Sequence, residues 1–135
     1  MAVRPTDPLR SLDWDEPIHA DGGLSLRTIA TLLTRYRIGA VLVSRRSGDL
    51  GMAGERDVTT AVAAGIDLDD ACAANVVTRD LITADVDDTV IDVARQLLAE
   101  QVRHVAVVDG DDVVAVLSIR DLLAVLVDAW DDRPG

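Results

Sequence analysis

The residues with the clearest chemistry for holding a ligand are Ser118, Arg120 and Asp121, where a predicted strand meets a predicted helix. Backbone N–H groups at the start of a helix bind anions, aided by the helix dipole. The Ser118 hydroxyl can donate to a phosphate oxygen, and Arg120 supplies a countercharge. The Asp121 carboxylate only accepts hydrogen bonds, which suits the two vicinal hydroxyls of a ribose. This arrangement therefore has the chemistry to hold a phosphate and a sugar.

The same spacing has a purely structural interpretation. Ser118-x-x-Asp121 is a helix-capping pattern, in which the serine caps the helix and the aspartate bonds back to a backbone N–H. Capping sequences are far commoner than nucleotide sites, so these residues by themselves favour the cap. Both interpretations stay open on the sequence.

Residues for catalysis or metal binding do not form a recognisable set. Cys72 has no neighbouring His or Arg in sequence to activate it, and His19, Cys72 and His104 do not have the spacing of a zinc site. The stretch Asp21-Gly-Gly-Leu24 matches no phosphate-binding glycine loop. We therefore expect no enzyme activity and no metal.

Charge and hydropathy restrict the partners. The 135 residues carry a net charge of −11, and all 13 basic residues are Arg. This balance argues against nucleic acid and against an anionic membrane surface. No apolar run approaches the roughly 18 residues that span a bilayer, and a single cysteine suits a reducing compartment. We expect a cytoplasmic protein with no membrane contact.

The chain contains an internal duplication, which is the most informative pattern in it. Shifted by 64 residues, segment 18–58 lies on segment 82–122 without a gap. The identical pairs at this shift include Ile18 with Ile82, Asp21 with Asp85, Leu33 with Leu97, Val43 with Val107 and Arg56-Asp57 with Arg120-Asp121. We interpret this as two copies of one structural unit.

Each copy predicts the order strand, helix, strand, strand, helix. The first strands are predicted at 17–20 and 81–85, the amphipathic helices at 25–36 and 89–101, and the Val-rich strands at 40–44 and 105–108. Second strands follow at 49–53 and 113–117, and closing helices begin near Glu55 and Ile119. The predicted fold is α+β, with an N-terminal arm (1–16), repeat 1 (17–75), repeat 2 (76–127) and a tail (128–135).

Several stretches resemble the cystathionine-beta-synthase (CBS) domain family. Residues 102–109 (VRHVAVVD) and 113–123 (VVAVLSIRDLL) look like the second half of such a domain. Residues 38–43 (IGAVLV) and 50–57 (LGMAGERD) match in the first copy, and the linker Asn75–Asp80 before Ile82-Thr-Ala-Asp85 is also similar. The resemblance covers residues 17–127. It implies tandem CBS repeats related by a pseudo-twofold axis, as in a Bateman module.

The resemblance also implies a ligand and an assembly. Many such modules form flat dimers and bind adenosine compounds in the cleft between repeats. It gives the roles above to Ser118, Arg120 and Asp121, and it implies that adenine is held near Leu81, Ile82 and Thr83 and near the strand His104, Val105 and Ala106. A second site, around Arg56 and Asp57, is less favoured. The candidate ligands are AMP, ADP, ATP and S-adenosylmethionine.

Two departures from the family pattern weaken the ligand interpretation. Gly54 stands where the family has Ser or Thr, so the hydroxyl is missing from the first copy. Ala115 replaces a usual Gly, and we expect its methyl group to project toward the cleft. We therefore predict at most one site per chain, around Asp121.

The functional hypothesis is a stand-alone regulatory module that senses an adenosine-containing ligand. Because the two repeats account for nearly the whole chain, we expect the output to pass to a separate protein, and we expect a homodimer. One alternative is a ligand-free scaffold or interaction protein in which Ser118 and Asp121 only cap a helix. Another is a stress-associated protein whose ligand is not a nucleotide. The identity of the partner protein is not encoded in any visible motif.

Overall fold

The computed structural model of this chain describes residues 2–77 and 81–134. Contacts within the chain group its residues into two compact units. The first-repeat unit is Pro17–Leu81, and the second-repeat unit combines Met1–Glu16 with Ile82–Gly135. Each unit contains the predicted order strand, helix, strand, strand, helix. The α+β prediction of two tandem repeats is confirmed.

The first-repeat unit is built on a three-stranded sheet. Its strands are β1 (His19–Ala20), β2 (Ala40–Ser44) and β3 (Leu50–Gly54), and its helices are α1 (Leu26–Tyr36), α2 (Glu55–Ala63) and the short α3 (Ala73–Val76). β1 runs parallel to β2, and β2 runs antiparallel to β3. The core contains Ile29, Leu33, Val41, Val43 and Ala53.

The second-repeat unit repeats this topology with longer strands. Its strands are β4 (Thr83–Asp85), β5 (His104–Asp109) and β6 (Asp112–Ser118), and its helices are α4 (Val90–Glu100) and α5 (Ile119–Asp131). β4 is parallel to β5, and β5 is antiparallel to β6. The core contains Leu9, Val90, Leu97, Val105, Val107, Leu117 and Leu122.

The first helix of each repeat begins and ends in the same way. Ser25 caps α1 by accepting from the Thr28 N–H at 3.2 Å, and Thr89 caps α4 by accepting from the Asp92 N–H at 3.3 Å. Both helices end at a residue in the left-handed conformation, Arg37 (φ 53°) after α1 and Gln101 (φ 56°) after α4. These two residues occupy corresponding positions in the two copies. This turn redirects the chain from the helix into the central strand.

The N-terminal arm is an integral part of the second-repeat unit. It forms a 3₁₀ turn at Leu9–Ser11, and Leu9 is fully buried in the core. Trp14 and Leu12 pack against the same core. The arm thus buries apolar surface in the repeat that follows it much later in the chain.

Backbone hydrogen bonds extend the duplication into this arm. Four backbone bonds of the arm have a counterpart 64 residues away. The N–H of Val90 donates to Asp7 O as that of Leu26 does to Ala71 O, and the N–H of Leu9 donates to Asp88 O as that of Ala73 does to Leu24 O. The N–H of Arg10 donates to Val86 O as that of Ala74 does to Gly22 O, and the N–H of Ser11 donates to Pro8 O as that of Asn75 does to Cys72 O. The arm therefore makes with repeat 2 the backbone hydrogen bonds that segment 71–74 makes with repeat 1.

The contacts place one division between Glu16 and Pro17 and another between Leu81 and Ile82. Helix α5 continues through Asp131, into the segment predicted as a tail. The boundaries at 75/76 and 127/128 stay predictions. The linker residues 78–80 lie outside the described part of the chain.

No helix among the described residues is long and apolar enough to cross a membrane.

Candidate functional site

The sheet of the second-repeat unit brings most of the predicted site residues to one end. Thr83 on β4 lies beside Ala106 on β5, and His104 lies beside Ser118 on β6. β4 and β5 begin at this end, because they are parallel, and β6 finishes there, because it is antiparallel. Helix α5 starts directly after Ser118.

Ser118 and Asp121 form a complete capping box at the start of α5. Asp121 Oδ2 accepts from the Ser118 N–H at 2.8 Å and from the Ser118 hydroxyl at 3.0 Å. The Ser118 Oγ accepts in turn from the Asp121 N–H at 3.2 Å. This is the geometry that the structural interpretation of Ser118-x-x-Asp121 predicted.

The box leaves Asp121 with hydrogen-bonding capacity. Both of its side-chain bonds use Oδ2, and within residues 2–77 and 81–134 Oδ1 accepts none. An ionised carboxylate offers about four lone-pair positions, so Oδ1 can accept from a ligand hydroxyl while the cap stays closed. The cap and the ribose role are therefore compatible.

Ser118 is less free to bind a phosphate. Its hydroxyl proton is directed to Asp121 Oδ2, so donation to a phosphate requires that this 3.0 Å bond be exchanged. Two N–H groups of the first turn are also already bonded, Ile119 to the Arg103 carbonyl at 2.7 Å and Asp121 to Ser118. Arg120, which is exposed, is the group best able to meet an anion.

The remaining residues of this end differ in accessibility. Thr83 is exposed, and Ile82 and His104 are half-buried. Val105 and Ala106 are fully buried, and Val105 packs in the core of the unit. The Ala106 N–H donates to the Ile82 carbonyl at 2.9 Å. Val105 can therefore contribute only main-chain groups to a site, and the Ala106 N–H is already bonded.

Leu81 is half-buried and is the last residue of the first-repeat unit.

Ala115 lies in the core of the second-repeat unit, where it is fully buried in the same cluster as Val107 and Leu117. The expectation that its methyl group projects toward a ligand site is therefore wrong. It failed because the side chains of a strand alternate between two faces, and the residue type alone does not say which face is covered by the helices.

Arg56 and Asp57 occupy the equivalent position at the start of α2. Asp57 Oδ2 accepts from the Gly54 N–H at 2.7 Å, as Asp121 does from Ser118. Glycine has no hydroxyl, so the reverse half of the box is missing, as the sequence predicted. A side chain at Gly54 would place its Cβ 3.1 Å from the Gly39 carbonyl oxygen. The first repeat thus has the carboxylate without the hydroxyl that holds it.

Gln96 supports the site and was not identified from the sequence. Its Nε2 donates to the Thr83 carbonyl at 3.1 Å, which ties α4 to the start of β4. The corresponding residue of the first copy is Leu32, which packs against the core. A polar residue opposite an apolar one in the other copy was the available signal.

The two units differ strongly in charge. The first-repeat unit has seven Arg against eight Asp and Glu, a net charge of −1. The second-repeat unit has six Arg against sixteen Asp and Glu, a net charge of −10. At the far end of its sheet, Arg10 bonds Asp87 at 2.7 Å, which lowers the pKa of that carboxyl.

In the part of the chain that the structure describes, no three His, Cys, Asp or Glu side chains come together in a way that could hold a metal ion.

Comparisons with known proteins agree with the repeated fold. The family model for the CBS domain matches residues 73–128. A CBS domain protein of Pyrobaculum aerophilum, solved in complex with AMP, is 30% identical, with 92% of this chain and 98% of that chain covered and a TM-score of 0.79. No curated protein matches the chain.

More distant structures share the fold. A conserved protein of Pyrococcus horikoshii is 18% identical with 98% of both chains covered and a TM-score of 0.81. A CBS domain pair in complex with 5′-methylthioadenosine and S-adenosyl-L-methionine is 24% identical, with 92% of this chain and 98% of that chain covered and a TM-score of 0.80.

Proposed function

Because this chain belongs to the CBS-domain family, we propose that it is a non-catalytic regulatory module that binds an adenosine-containing ligand at its second repeat. The ligand meets the end of the sheet where Thr83, His104 and Ser118 lie together beside the start of α5. Binding then alters the shape or assembly that a partner protein reads. Cytoplasmic location is part of the same proposal.

The observation that carries this proposal is the position of Asp121. Its carboxylate is exposed, is held by Ser118 at 2.8 and 3.0 Å, and keeps Oδ1 available as judged from the described residues. A fixed acceptor of this kind suits the vicinal hydroxyls of a ribose, because both hydroxyls can donate to it. The AMP complex of the 30% identical Pyrobaculum protein supports the same ligand class.

The remaining groups have distinct roles in this proposal. Arg120, one residue before Asp121, meets a phosphate or another anionic group of the ligand. Main-chain groups of Ile82 and Thr83 and of His104, Val105 and Ala106 contact the adenine. Gln96 keeps the Thr83 carbonyl in place through its 3.1 Å bond. Ser118 acts mainly by orienting Asp121.

Repeat 1 is the weaker candidate for a second site. Arg56 and Asp57 are present, but Gly54 supplies no hydroxyl to hold the carboxylate from its other side. We therefore propose one ligand per chain. We also propose that the protein forms a homodimer, because large apolar side chains such as Leu123 and Trp130 remain exposed on the single chain.

A ligand-free scaffold is the second candidate function. It is favoured by the closed capping box, since Ser118 and Asp121 already satisfy one another without any ligand. In this alternative the apolar helix surfaces bind partners and Asp121 has no role beyond the cap.

Thermal unfolding with and without AMP, ADP, ATP and S-adenosylmethionine separates the two candidates. A ligand at about 100 times its dissociation constant adds about 2.7 kcal/mol to the folded state, a shift of several degrees in Tm. We expect at least one of these compounds to stabilise the wild type. No shift with any of them at millimolar concentration would leave the scaffold as the better account.

Asp121→Ala and Asp57→Ala form a matched pair for this test. Each removes a carboxylate that accepts from the N–H three residues earlier, so each weakens a helix start. We expect the ligand-induced shift to disappear in Asp121→Ala and to remain in Asp57→Ala. Loss in both variants would show that stability, and not the site, controls the shift.

A further inference from the structure

The N-terminal arm is bonded to the start of helix α4 in the second-repeat unit. The Val90 N–H donates to the Asp7 carbonyl at 3.0 Å. The next N–H of the helix, that of Ile91, donates to the Pro5 carbonyl at 2.9 Å. The first N–H groups of a helix have no partner within the helix, so the arm supplies acceptors that α4 needs. The arm therefore helps to fix where α4 begins.

The arm is also bonded to the turn between β4 and α4. The Arg10 N–H donates to the Val86 carbonyl, and the Leu9 N–H donates to Asp88, both at 2.9 Å. The Leu9 side chain is fully buried, in a core cluster that includes Val86 and Val90. Because Val86 directly follows β4, the arm holds the chain at the point where that strand ends.

Strand β4 depends on such contacts because it is short. It has three residues and lies at the edge of its sheet, next to β5. At its first residue, Gln96 on α4 donates to the Thr83 carbonyl at 3.1 Å. The arm thus acts on β4 at both ends: directly through Val86, and through α4, which carries Gln96.

The arm has few buried contacts of its own. Leu9 is the one buried side chain among residues 2–16, and the one regular element there is the 3₁₀ turn Leu9–Ser11. The ion pair of Arg10 with Asp87 joins side chains that are 51% and 70% exposed, and pairs of this kind contribute little to stability. Segments with few buried contacts open at a lower free energy than the core.

We propose that the arm opens while the rest of the second-repeat unit stays folded, and that its closure raises the affinity of the ligand site at the start of β4. An open arm leaves Val86 and the start of α4 without these bonds, so β4 is held less firmly. By thermodynamic reciprocity, a ligand on Thr83 favours the closed arm by the same factor. The coupling to a ligand rests on the proposed function, whereas the opening of the arm does not.

Three N–H groups of the complete chain report on the proposal through hydrogen exchange followed by NMR. The Arg10 N–H reports on the arm. The Ala106 N–H, which donates to the Ile82 carbonyl at 2.9 Å, reports on the start of β4. The Ile119 N–H, which donates to the Arg103 carbonyl at 2.7 Å, lies at the same end of the sheet but beside β6, and is the reference.

Leu9→Ala weakens the closed arm without altering any of these reporters. We expect the Arg10 and Ala106 N–H groups to exchange about tenfold faster or more, since truncating a buried leucine changes an equilibrium constant by at least this factor. We expect exchange at Ile119 to stay within about twofold of the wild type, because the arm does not contribute to its opening.

Two further variants serve as controls. Val125→Ala truncates a buried side chain of the same core cluster, on α5 instead of the arm. It should not accelerate exchange at Arg10 more than at Ile119. Leu9→Val removes one buried CH₂ and should give the order of effects of Leu9→Ala at about fourfold, which keeps the test available if Leu9→Ala fails to fold.

AMP is the probe for the coupling. In the wild type, saturating AMP should slow exchange at Arg10 by about fivefold or more, the usual size of a coupling between two sites. The same concentration should leave exchange at Arg10 unchanged in Asp121→Ala. Isothermal titration measures AMP binding separately.

The outcomes distinguish the arm from the ligand site. Equal acceleration at Arg10, Ala106 and Ile119 in Leu9→Ala would overturn a separate opening of the arm. Acceleration at Arg10 alone, or AMP that binds without slowing exchange there, would overturn the coupling and leave the proposed function standing. A wild type that binds no AMP would overturn the proposed function and the coupling to it, while exchange without ligand still decides whether the arm opens and loosens β4.

Discussion

The two repeats of this chain have the same backbone topology and differ in surface chemistry. Both have a parallel and an antiparallel strand pair, and their corresponding helices begin at positions 64 residues apart. The second-repeat unit has a closed capping box at Ser118 and, with the arm included, a net charge of −10, whereas the first-repeat unit has Gly54 and a net charge of −1. The buried contacts set the fold, and the exposed positions were free to diverge.

One of these differences lies where function is proposed. The Asp57 carboxylate of the first repeat makes one bond to a backbone N–H, whereas Asp121 makes a second bond to the Ser118 hydroxyl. A carboxylate held on both sides is better prepared to bind a ligand, because less side-chain freedom is lost on binding. The difference favours one specialised repeat over two equal ones.

The largest expected effect concerns the arm, which completes only the second repeat. Leu9 is fully buried in the core of the second-repeat unit. Leu9→Ala should lower the free energy of unfolding by about 2–5 kcal/mol, since it removes a buried side chain and leaves a cavity. Denaturant unfolding measures the change. Leu98→Ala, at a 72% exposed position, serves as the control and should cost less than about 0.5 kcal/mol.

A cost below about 1 kcal/mol for Leu9→Ala would mean that the arm packs only loosely.

Next in size is a glycine that distinguishes the first repeat. Gly22 takes the place of Val86, and a Cβ there would overlap the Ser44 carbonyl oxygen and lie 2.7 Å from Ala74 Cβ. Gly22→Ala should therefore destabilise the protein by roughly 1–3 kcal/mol, because the overlap is with main chain. Gly23→Ala meets only the exposed Asp21 side chain, at 3.1 Å, and should be milder.

Equal Tm values for the two glycine variants would show that both the main chain at Ser44 and the segment containing Ala74 can move away from a Cβ at Gly22 without cost.

The cap itself gives a smaller effect. Ser118→Ala removes the hydroxyl that bonds Asp121 in both directions and should cost about 1 kcal/mol in unfolding free energy. The reciprocal change, Gly54→Ser, should gain no more than a few tenths of a kcal/mol, because its Cβ would lie 3.1 Å from the Gly39 carbonyl. A gain equal to the Ser118 loss would contradict the crowding at Gly54.

The smallest expected effect is a change in how the stability of the protein depends on pH, and it arises in the turn between β2 and β3. Hydrogen bonds from Arg45 and Ser47 lower the pKa of Asp49 from 3.8 to about 2. A depressed folded-state pKa stabilises the protein above the unfolded pKa, and this contribution is lost as pH falls from about 4 to about 2. Asp49→Asn should flatten the Tm profile across that range.

Asp111→Asn, in the corresponding turn of the second repeat, removes a charge without an ion pair among the described residues, and is the control for Asp49→Asn. The same slope of Tm against pH in both variants would mean that the Arg45 pair does not stabilise the turn.

The sequence predicts the repeated core well, and the reason is physical. Apolar positions such as Ile29 and Leu33, or Val93 and Leu97, recur with the helical period because they are buried in both copies. The strand Ala40–Ser44 and the closing helices at Glu55 and Ile119 have the predicted positions. Strands favour valine and helix starts favour capping residues, so both can be recognised from residue type.

The extension of the duplication into the arm could not be predicted in the same way. Asp7–Arg10 and Ala71–Ala74 share no identical residue at the shift of 64, yet they make equivalent hydrogen bonds. Those bonds use main-chain groups, which almost any residue supplies. They therefore place no requirement on residue type that could be seen in the sequence.

The ligand site at Asp121 stays a prediction. The sequence singles out Asp121, but whether this residue only caps the helix or also binds a ligand depends on hydrogen-bond geometry that the spacing does not encode. Gln96 and the inward direction of Ala115 depend on which side of the sheet a residue faces.

Isothermal titration of the wild type, Asp121→Ala and Asp57→Ala tests the central proposal most directly, using whichever adenosine compound stabilises the wild type. We predict one ligand per chain for the wild type and for Asp57→Ala, and a loss of about tenfold or more in affinity for Asp121→Ala, since a charge-assisted hydrogen bond contributes about 1.5–3 kcal/mol. Two ligands per chain, or unchanged affinity in Asp121→Ala, would contradict a single site at the second repeat.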